Sequence, residues 1–109
     1  MSKWKETLKE EGILEVGDFV IEVSVESECP CKDDTLYPAV LIYDLKDEEI
    51  YYLDEPFEPV SNFKEALEQV FEWIERYKHG EPPRMKRSPK KDAPKEVVQR
   101  FLEALKSLE

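Results

Sequence analysis

The chain has 109 residues, and its 26 acidic and 16 basic side chains give a formal net charge of −10 at pH 7. This length supports one domain around a single core, and the 40% hydrophobic content excludes a wholly disordered chain. The negative charge disfavours binding of the body to nucleic-acid phosphates. Because no window approaches the roughly 18 to 20 apolar residues of a membrane span, and the first residues lack the apolar segment of a signal peptide, we expect a cytoplasmic protein.

Two further features of the composition bear on source and partners. The chain has 19 Glu and 12 Lys but only two Gln and one Asn, an enrichment typical of thermophilic proteins. An acidic surface suits a basic protein partner, although acidity can also serve only to keep a protein soluble. The composition therefore favours a thermophilic source, and it leaves both a protein partner and a role in solubility open for the acidic surface.

The charges divide the chain into three parts. Residues 1–79 carry 8 basic and 21 acidic side chains, whereas residues 80–91 carry five basic and one acidic side chain. Residues 80–94 also hold four of the eight prolines, which a helix interior excludes. The sequence predicts an acidic domain at 1–79, a Pro-rich basic spacer at 80–94 and a C-terminal helix at 95–109.

The first predicted elements are a short helix and a hairpin. Trp4 and Leu8 share one face of a helix over residues 2–11, and Gly12 is suited to end that helix in the left-handed conformation. A short strand at 13–16 and a turn at Gly17 follow. From Phe19 to residue 26, apolar residues alternate with mostly polar ones, which is the period of a strand with one buried face.

Two more strands are predicted at 37–44 and 49–53, joined by a charged turn. The first of them is apolar on both faces, because Ala39, Leu41 and Tyr43 alternate with Val40 and Ile42. A strand of this kind is expected to be covered on both sides.

The strongest helical pattern runs from an N-cap at Ser61 or Asn62 to Gly80. A final amphipathic helix is predicted to begin at residue 92 or 93. A helix of that length is marginal in water alone, so we expect its apolar stripe to be buried, either on the body of this chain or against a second copy or another partner. The principal members of the stripe are Val98, Phe101, Leu102 and Leu105.

Together these elements predict an α+β fold. It comprises a small antiparallel sheet of three to four strands with a long helix packed on one face, a short N-terminal helix and a C-terminal amphipathic helix after the spacer. Three positions remain open for the C-terminal helix: the other face of the sheet, a place beside the long helix, or a partner.

Cys29 and Cys31 are the candidate metal or redox residues. Their C-x-C spacing differs from the usual zinc knuckle, and His79 is the single histidine available to complete a ligand set. Nearby carboxylates should raise the pKa of both thiols, which disfavours a reactive thiolate. We interpret the segment as an ordinary loop and predict no cofactor and no metal, with a small metal or redox protein as an alternative.

Catalytic and phosphate-binding patterns are weak. A single histidine limits the possible nucleophile and base sets, and none of the three glycines lies in a nucleotide-binding pattern, so we predict that the protein is not an enzyme.

Five basic residues of the spacer could contact phosphates, yet no aromatic residue lies among them to stack on bases. Their simplest role is to lie against the acidic body or to remain solvated. They are Arg84, Lys86, Arg87, Lys90 and Lys91.

The run YPAVLIYDLKDEEIYYLDEPFEP, followed by FKEALEQVFEWIERY, resembles the strand–strand–helix layout of HicB-like antitoxin domains. At residues 54–59 the sequence DEPFEP stands where that family has a PDLPGC stretch. The resemblance implies an antitoxin-like or transcription-associated regulator that contacts nucleic acid through the basic spacer.

The leading prediction is a non-enzymatic acidic interaction protein. Small size and the lack of a catalytic set fit a regulator or inhibitor of phage or mobile-element type that binds a larger host protein through its acidic surface. A homodimer is a further possibility, and no membrane association is expected.

Overall fold

The computed structural model describes residues 2–27 and 35–109, which form three helices and six strands. In chain order these elements are α1 (Lys3–Glu11), β1 (Ile13–Val16), β2 (Phe19–Ser27), β3 (Leu36–Asp44), β4 (Glu49–Leu53), α2 (Phe63–Lys78), β5 (Met85–Ser88), β6 (Lys91–Asp92) and α3 (Lys95–Leu105). The strands form one antiparallel sheet in the order β1-β2-β3-β4-β5-β6, so the order in space follows the order in the chain.

The prediction of a three- to four-stranded sheet with one long helix is wrong. The α+β fold has six strands and three helices. The extra strands β5 and β6 come from residues 80–94. Strand β5 pairs with β4, with Met85 opposite Leu53 and Lys86 opposite Tyr52. The prolines of this segment precede β5, lie between β5 and β6, or follow β6, so they interrupt neither strand.

All three helices pack on one face of the sheet. Directly paired strand residues share a face, and Leu14, Ile21, Ile42 and Tyr51 form one such row across β1 to β4. This row is buried in a single hydrophobic cluster with Leu8 of α1, Val70 of α2 and Phe101 of α3. The three-part domain division of the sequence stays a prediction, but residues of all three parts contribute to this one core.

Several predicted helix ends are confirmed. Gly12 follows α1 with a φ of +73°, and its N–H donates to the carbonyl of Leu8 at 2.8 Å. Asn62 caps α2 by accepting from the N–H of Glu65 at 3.0 Å, while the Glu65 carboxylate accepts from the N–H of Ser61 at 2.8 Å. The final helix starts at Lys95, the first residue of the predicted C-terminal part, rather than at 92 or 93, because Asp92 is paired in β6.

The turn between β1 and β2 packs tightly against α3. Gly17 has a φ of +58°, and a Cβ atom at this position would lie 2.9 Å from the Cβ of Ala104. Glycine is therefore required here both for the left-handed backbone and for the close approach of the helix.

Gly17→Ala should lower the free energy of unfolding by about 1 to 3 kcal/mol, since it combines left-handed strain with a clash. Thermal unfolding measures the effect. The matched control is Gly12→Ala, because Gly12 has a similar φ of +73° but an added methyl would meet its nearest neighbours at ordinary van der Waals distances of 3.6 and 3.7 Å. Equal losses in both variants would contradict the role of the Ala104 contact.

Candidate functional site

The apolar stripe of α3 lies inside the protein. Phe101 and Leu105 are fully buried, Leu102 is buried at the margin of the core, and Val98 is partly buried. The helix therefore packs on its own body, on the same sheet face as α2. Partner binding by Val98, Phe101, Leu102 and Leu105 stays a prediction, and it would require α3 to leave this core.

Three of the five basic residues of the segment 80–94 form ion pairs with the acidic body. Lys86 Nζ lies 3.0 Å from the Asp54 carboxylate, Arg84 lies 3.8 Å from the same group, and Arg87 lies 2.7 Å from Glu49. Their charge is partly neutralised within the chain. The other two, Lys90 and Lys91, are exposed in the β5–β6 hairpin, and binding of phosphates by this set stays a prediction.

The cysteine pair cannot be placed. Cys29 and Cys31 lie outside the described residues, so the metal and redox alternatives stay predictions. Within residues 2–27 and 35–109, no group of three His, Cys, Asp or Glu side chains is arranged to hold a metal ion.

One buried ion pair links α3 to the sheet. The Asp44 side chain has no exposed surface, and both of its oxygens accept hydrogen bonds from Arg100, at 3.3 and 2.6 Å. The backbone N–H groups of Lys46 and Asp47 also donate to Asp44, and Arg100 reaches the Asp47 carboxylate at 3.0 Å. Burial by itself raises the pKa of Asp44, but the hydrogen bond and charge of Arg100, with the backbone donors, outweigh burial and lower it.

A second polar contact joins the end of α2 to the loop before it. The buried Tyr77 hydroxyl donates to Glu55 at 2.6 Å, and the N–H of Arg84 donates to the same oxygen at 3.1 Å. Burial and the hydrogen bond to Glu55 raise the pKa of Tyr77. Apart from Arg100 Nε, which is buried without a hydrogen-bond partner, the interactions described for both clusters lie within the chain, so we interpret them as structural.

The face of the sheet opposite the helices carries an unusual set of side chains. None of the described helices covers it. Apolar and aromatic residues of β2, β3 and β4 occupy its centre, which we call the apolar patch. The patch consists of Val20, Ala39, Leu41, Tyr43, Ile50 and Tyr52.

Carboxylates line one side of this patch, along β1 and β2, and we call them the acidic border. Each is directly paired with an apolar or aromatic residue of the neighbouring strand. The pairs are Glu15 with Val20, Glu22 with Leu41, and Glu26 with Tyr37. On the opposite side of the patch, Lys86 is paired with Tyr52 and its charge is balanced by Asp54. Asp92 of β6 is paired with Lys86 on this flank as well, and Arg84 also lies near Asp54, so acidic and basic side chains are mixed here, whereas the acidic border carries three carboxylates.

A hydrogen bond joins the border to the patch. The Tyr43 hydroxyl donates to Glu22 Oε1 at 2.9 Å, and this bond, with burial and the charge of Glu22, raises the pKa of Tyr43. The tyrosine therefore stays neutral while the carboxylate is held over the sheet. An arrangement of carboxylates beside apolar surface, with Glu22 fixed by a hydrogen bond, is suited to noncovalent recognition of a cationic and apolar group.

Sequence reasoning did not identify this site. The signal was present, because the strand at 37–44 is apolar on both faces and was expected to be covered on both sides. The structure covers one face with α1, α2 and α3, whereas Ile50 on the other face remains 53% exposed.

Comparison of the chain with protein-family models, curated proteins and solved structures found no match. The resemblance to HicB-like antitoxin domains therefore stays a hypothesis. None of the described helices is long and apolar enough to cross a membrane.

Proposed function

We propose that this chain is a non-enzymatic interaction protein that binds a larger protein through the apolar patch and the acidic border. The observation that supports this most strongly is the apolar, aromatic character of a sheet face that the described helices leave uncovered. An antiparallel sheet that meets water usually presents polar residues on its wet side. Contiguous apolar surface with a polar rim is instead typical of interaction sites.

The residue types at this face favour a protein partner. Tyrosine is enriched in protein interfaces because it combines a large apolar ring with a polar hydroxyl group, and Tyr43 and Tyr52 both belong to the patch. Glu15, Glu22 and Glu26 would repel a phosphate backbone. Nucleic acid is therefore disfavoured at this face, whatever the role of the basic hairpin.

Site-specific photo-crosslinking tests the proposal. A photoreactive benzoylphenylalanine is placed at Ile50 in one full-length variant and at Leu45 in the control, and each is irradiated in an extract of the cells from which the gene comes. Leu45 is a matched control because it is an apolar residue of similar exposure, 59% against 53% for Ile50, and it lies in the turn beside the patch. We expect a discrete protein adduct from position 50 that excess unmodified chain suppresses. The same adducts from both positions, or none from position 50, would contradict the proposal.

A further inference from the structure

The dimensions of the apolar patch match one α-helix. Neighbouring strands are about 5 Å apart, so the parts of the patch on β2, β3 and β4 extend over about 10 Å, close to the 10 to 12 Å diameter of a helix with its side chains. Along β3, the patch runs from Ala39 to Tyr43, which is about 13 Å. A helix lying along β3 would cover that length with about nine residues.

The charge at the rim is asymmetric, and this defines the chemistry of the occupant. Glu15, Glu22 and Glu26 follow the β1 and β2 side, whereas Lys86 on the β5 side already has Asp54 as an ion-pair partner. Lysine and arginine can lay their aliphatic stems on apolar surface while the charged ends reach carboxylates. An occupant with cations along one flank would therefore satisfy the border and cover the patch.

We propose that the partner presents an amphipathic α-helix to this face. Its apolar residues, spaced at i, i+3, i+4 and i+7, lie on Leu41, Tyr43 and Ile50, and Lys or Arg residues along one flank contact Glu22 and Glu26. The helix forms a third layer on the sheet, opposite α1, α2 and α3. This inference rests on the proposed function and names the partner's chemistry.

A second copy of the chain is a poorer occupant. Each copy carries a net charge of −10, and like charge opposes association of two identical molecules. At the rim of the patch, Lys86 is held by Asp54 at 3.0 Å, so it is not available to complement the acidic border of another copy.

The test uses ¹⁵N-labelled full-length protein and two synthetic peptides. One 14-residue peptide has leucine at helical spacing and lysine along one flank, and the other has the same composition scrambled so that the periodicity is lost. We expect amide shifts from the helical peptide to concentrate on β2, β3 and β4. Both peptides carry the same charge, so a difference in their affinity reports the helical periodicity alone. We expect the scrambled peptide to bind at least tenfold more weakly, which corresponds to a loss of about 1.4 kcal/mol.

Variants of the chain locate the contacts. Ile50→Ser should weaken binding of the helical peptide about tenfold, as expected for a contributing interface residue, whereas Leu45→Ser should leave it unchanged. The double variant Glu22→Gln, Glu26→Gln should weaken binding about threefold to tenfold at low salt, as expected for two exposed ion pairs. That difference should largely disappear near 0.5 M salt because of screening. Thermal melts check that each variant is folded.

Several results would overturn the inference. Equal affinity for both peptides, or equal losses in Ile50→Ser and Leu45→Ser, would mean nonspecific charge attraction. An Ile50-dependent dimer in light scattering would identify a second copy as the occupant, and shifts on this face from a single-stranded oligonucleotide would identify nucleic acid. If position 50 crosslinks to a protein but the helical peptide does not bind, the helical occupant is rejected and the proposed function stands. If neither the crosslink nor peptide binding is observed, the proposed function is rejected as well.

Discussion

Replacing Arg100 by methionine should lower the free energy of unfolding by about 3 to 5 kcal/mol at neutral pH, the range for breaking a buried ion pair by removing one partner. Methionine preserves much of the apolar stem but removes the guanidinium, whose carbon lies over the ring of Phe19 at 5.2 Å from the ring centroid. The principal loss is therefore electrostatic, because the fully buried Asp44 carboxylate keeps only its backbone donors.

The effect of Arg100→Met should depend on pH. The folded protein lowers the pKa of Asp44, so this group contributes stability above its unfolded pKa of about 4, and that contribution is lost as pH falls through the folded value. Without Arg100, burial raises the pKa of Asp44 in the folded variant, so the variant binds this proton at a higher pH than wild type does. The difference in stability should therefore begin to shrink above about pH 4 and continue to shrink as pH falls. Urea unfolding from pH 7 down to pH 3.5 measures it. A difference that stays constant across this range would contradict the role of the Asp44 charge.

The control for this experiment is an exposed ion pair at the C-terminal end of α3. Lys106 pairs with Glu103 at 3.3 Å, and both side chains are exposed. Lys106→Met should therefore change stability by less than about 1 kcal/mol. A loss as large as that of Arg100→Met would mean that any basic residue near the end of α3 has the same effect.

Phe101→Ala should also cost about 3 to 5 kcal/mol, the range for deleting a buried aromatic side chain. The ring is 1% exposed and meets Phe19 edge to face, with the ring centroids 5.3 Å apart. Because both rings belong to the same chain, the molecular mass in solution should not change. Thermal unfolding and light scattering measure the two quantities together.

Val98→Ala provides the comparison for Phe101→Ala. Val98 is on the same helix but only partly buried, so its truncation should cost clearly less. A fall in mass without a loss of stability in Phe101→Ala would indicate that this stripe joins two chains, which contradicts the intramolecular packing of α3.

Local sequence signals predicted several elements well. The strand at β2 follows from the alternation of apolar and mostly polar residues after Phe19, and the end of α1 follows from a glycine that adopts the left-handed conformation. The cap at Asn62 is a short-range interaction with the N–H of Glu65. In each case the determining contacts lie within a few residues of each other, so the sequence pattern contains most of the information.

The strands β5 and β6 could not be predicted in the same way. Met85 is the one apolar residue of β5, which otherwise reads Lys86, Arg87 and Ser88, so the segment has no alternating pattern. It is a strand because Met85 pairs with Leu53 and enters the core, and because Lys86 pairs with Tyr52 beside Asp54. Strand formation of this kind is decided by tertiary context rather than by intrinsic preference.

The candidate site could not be predicted from the sequence for a related reason. The pattern of β3 indicates apolar residues on both faces, but it does not indicate which helices cover which face. The position of α3 depends on distant contacts, including Arg100 with Asp44 and Ala104 with Gly17. These contacts hold the last helix on the same side as α1 and α2, and the second face of β3 is left for another molecule under the proposed function.

The chain-order sheet also implies a sequence of folding events. The turns at 17–18 and 45–48 join neighbouring strands directly, so the β1–β2 and β3–β4 hairpins need little loop closure. The pairing of β4 with β5 must instead enclose residues 54–84, including all of α2. Such closure costs more chain entropy and delays the contacts that follow it. We therefore expect the first four strands to associate early and β5, β6 and the helix that carries Arg100 to join the structure last.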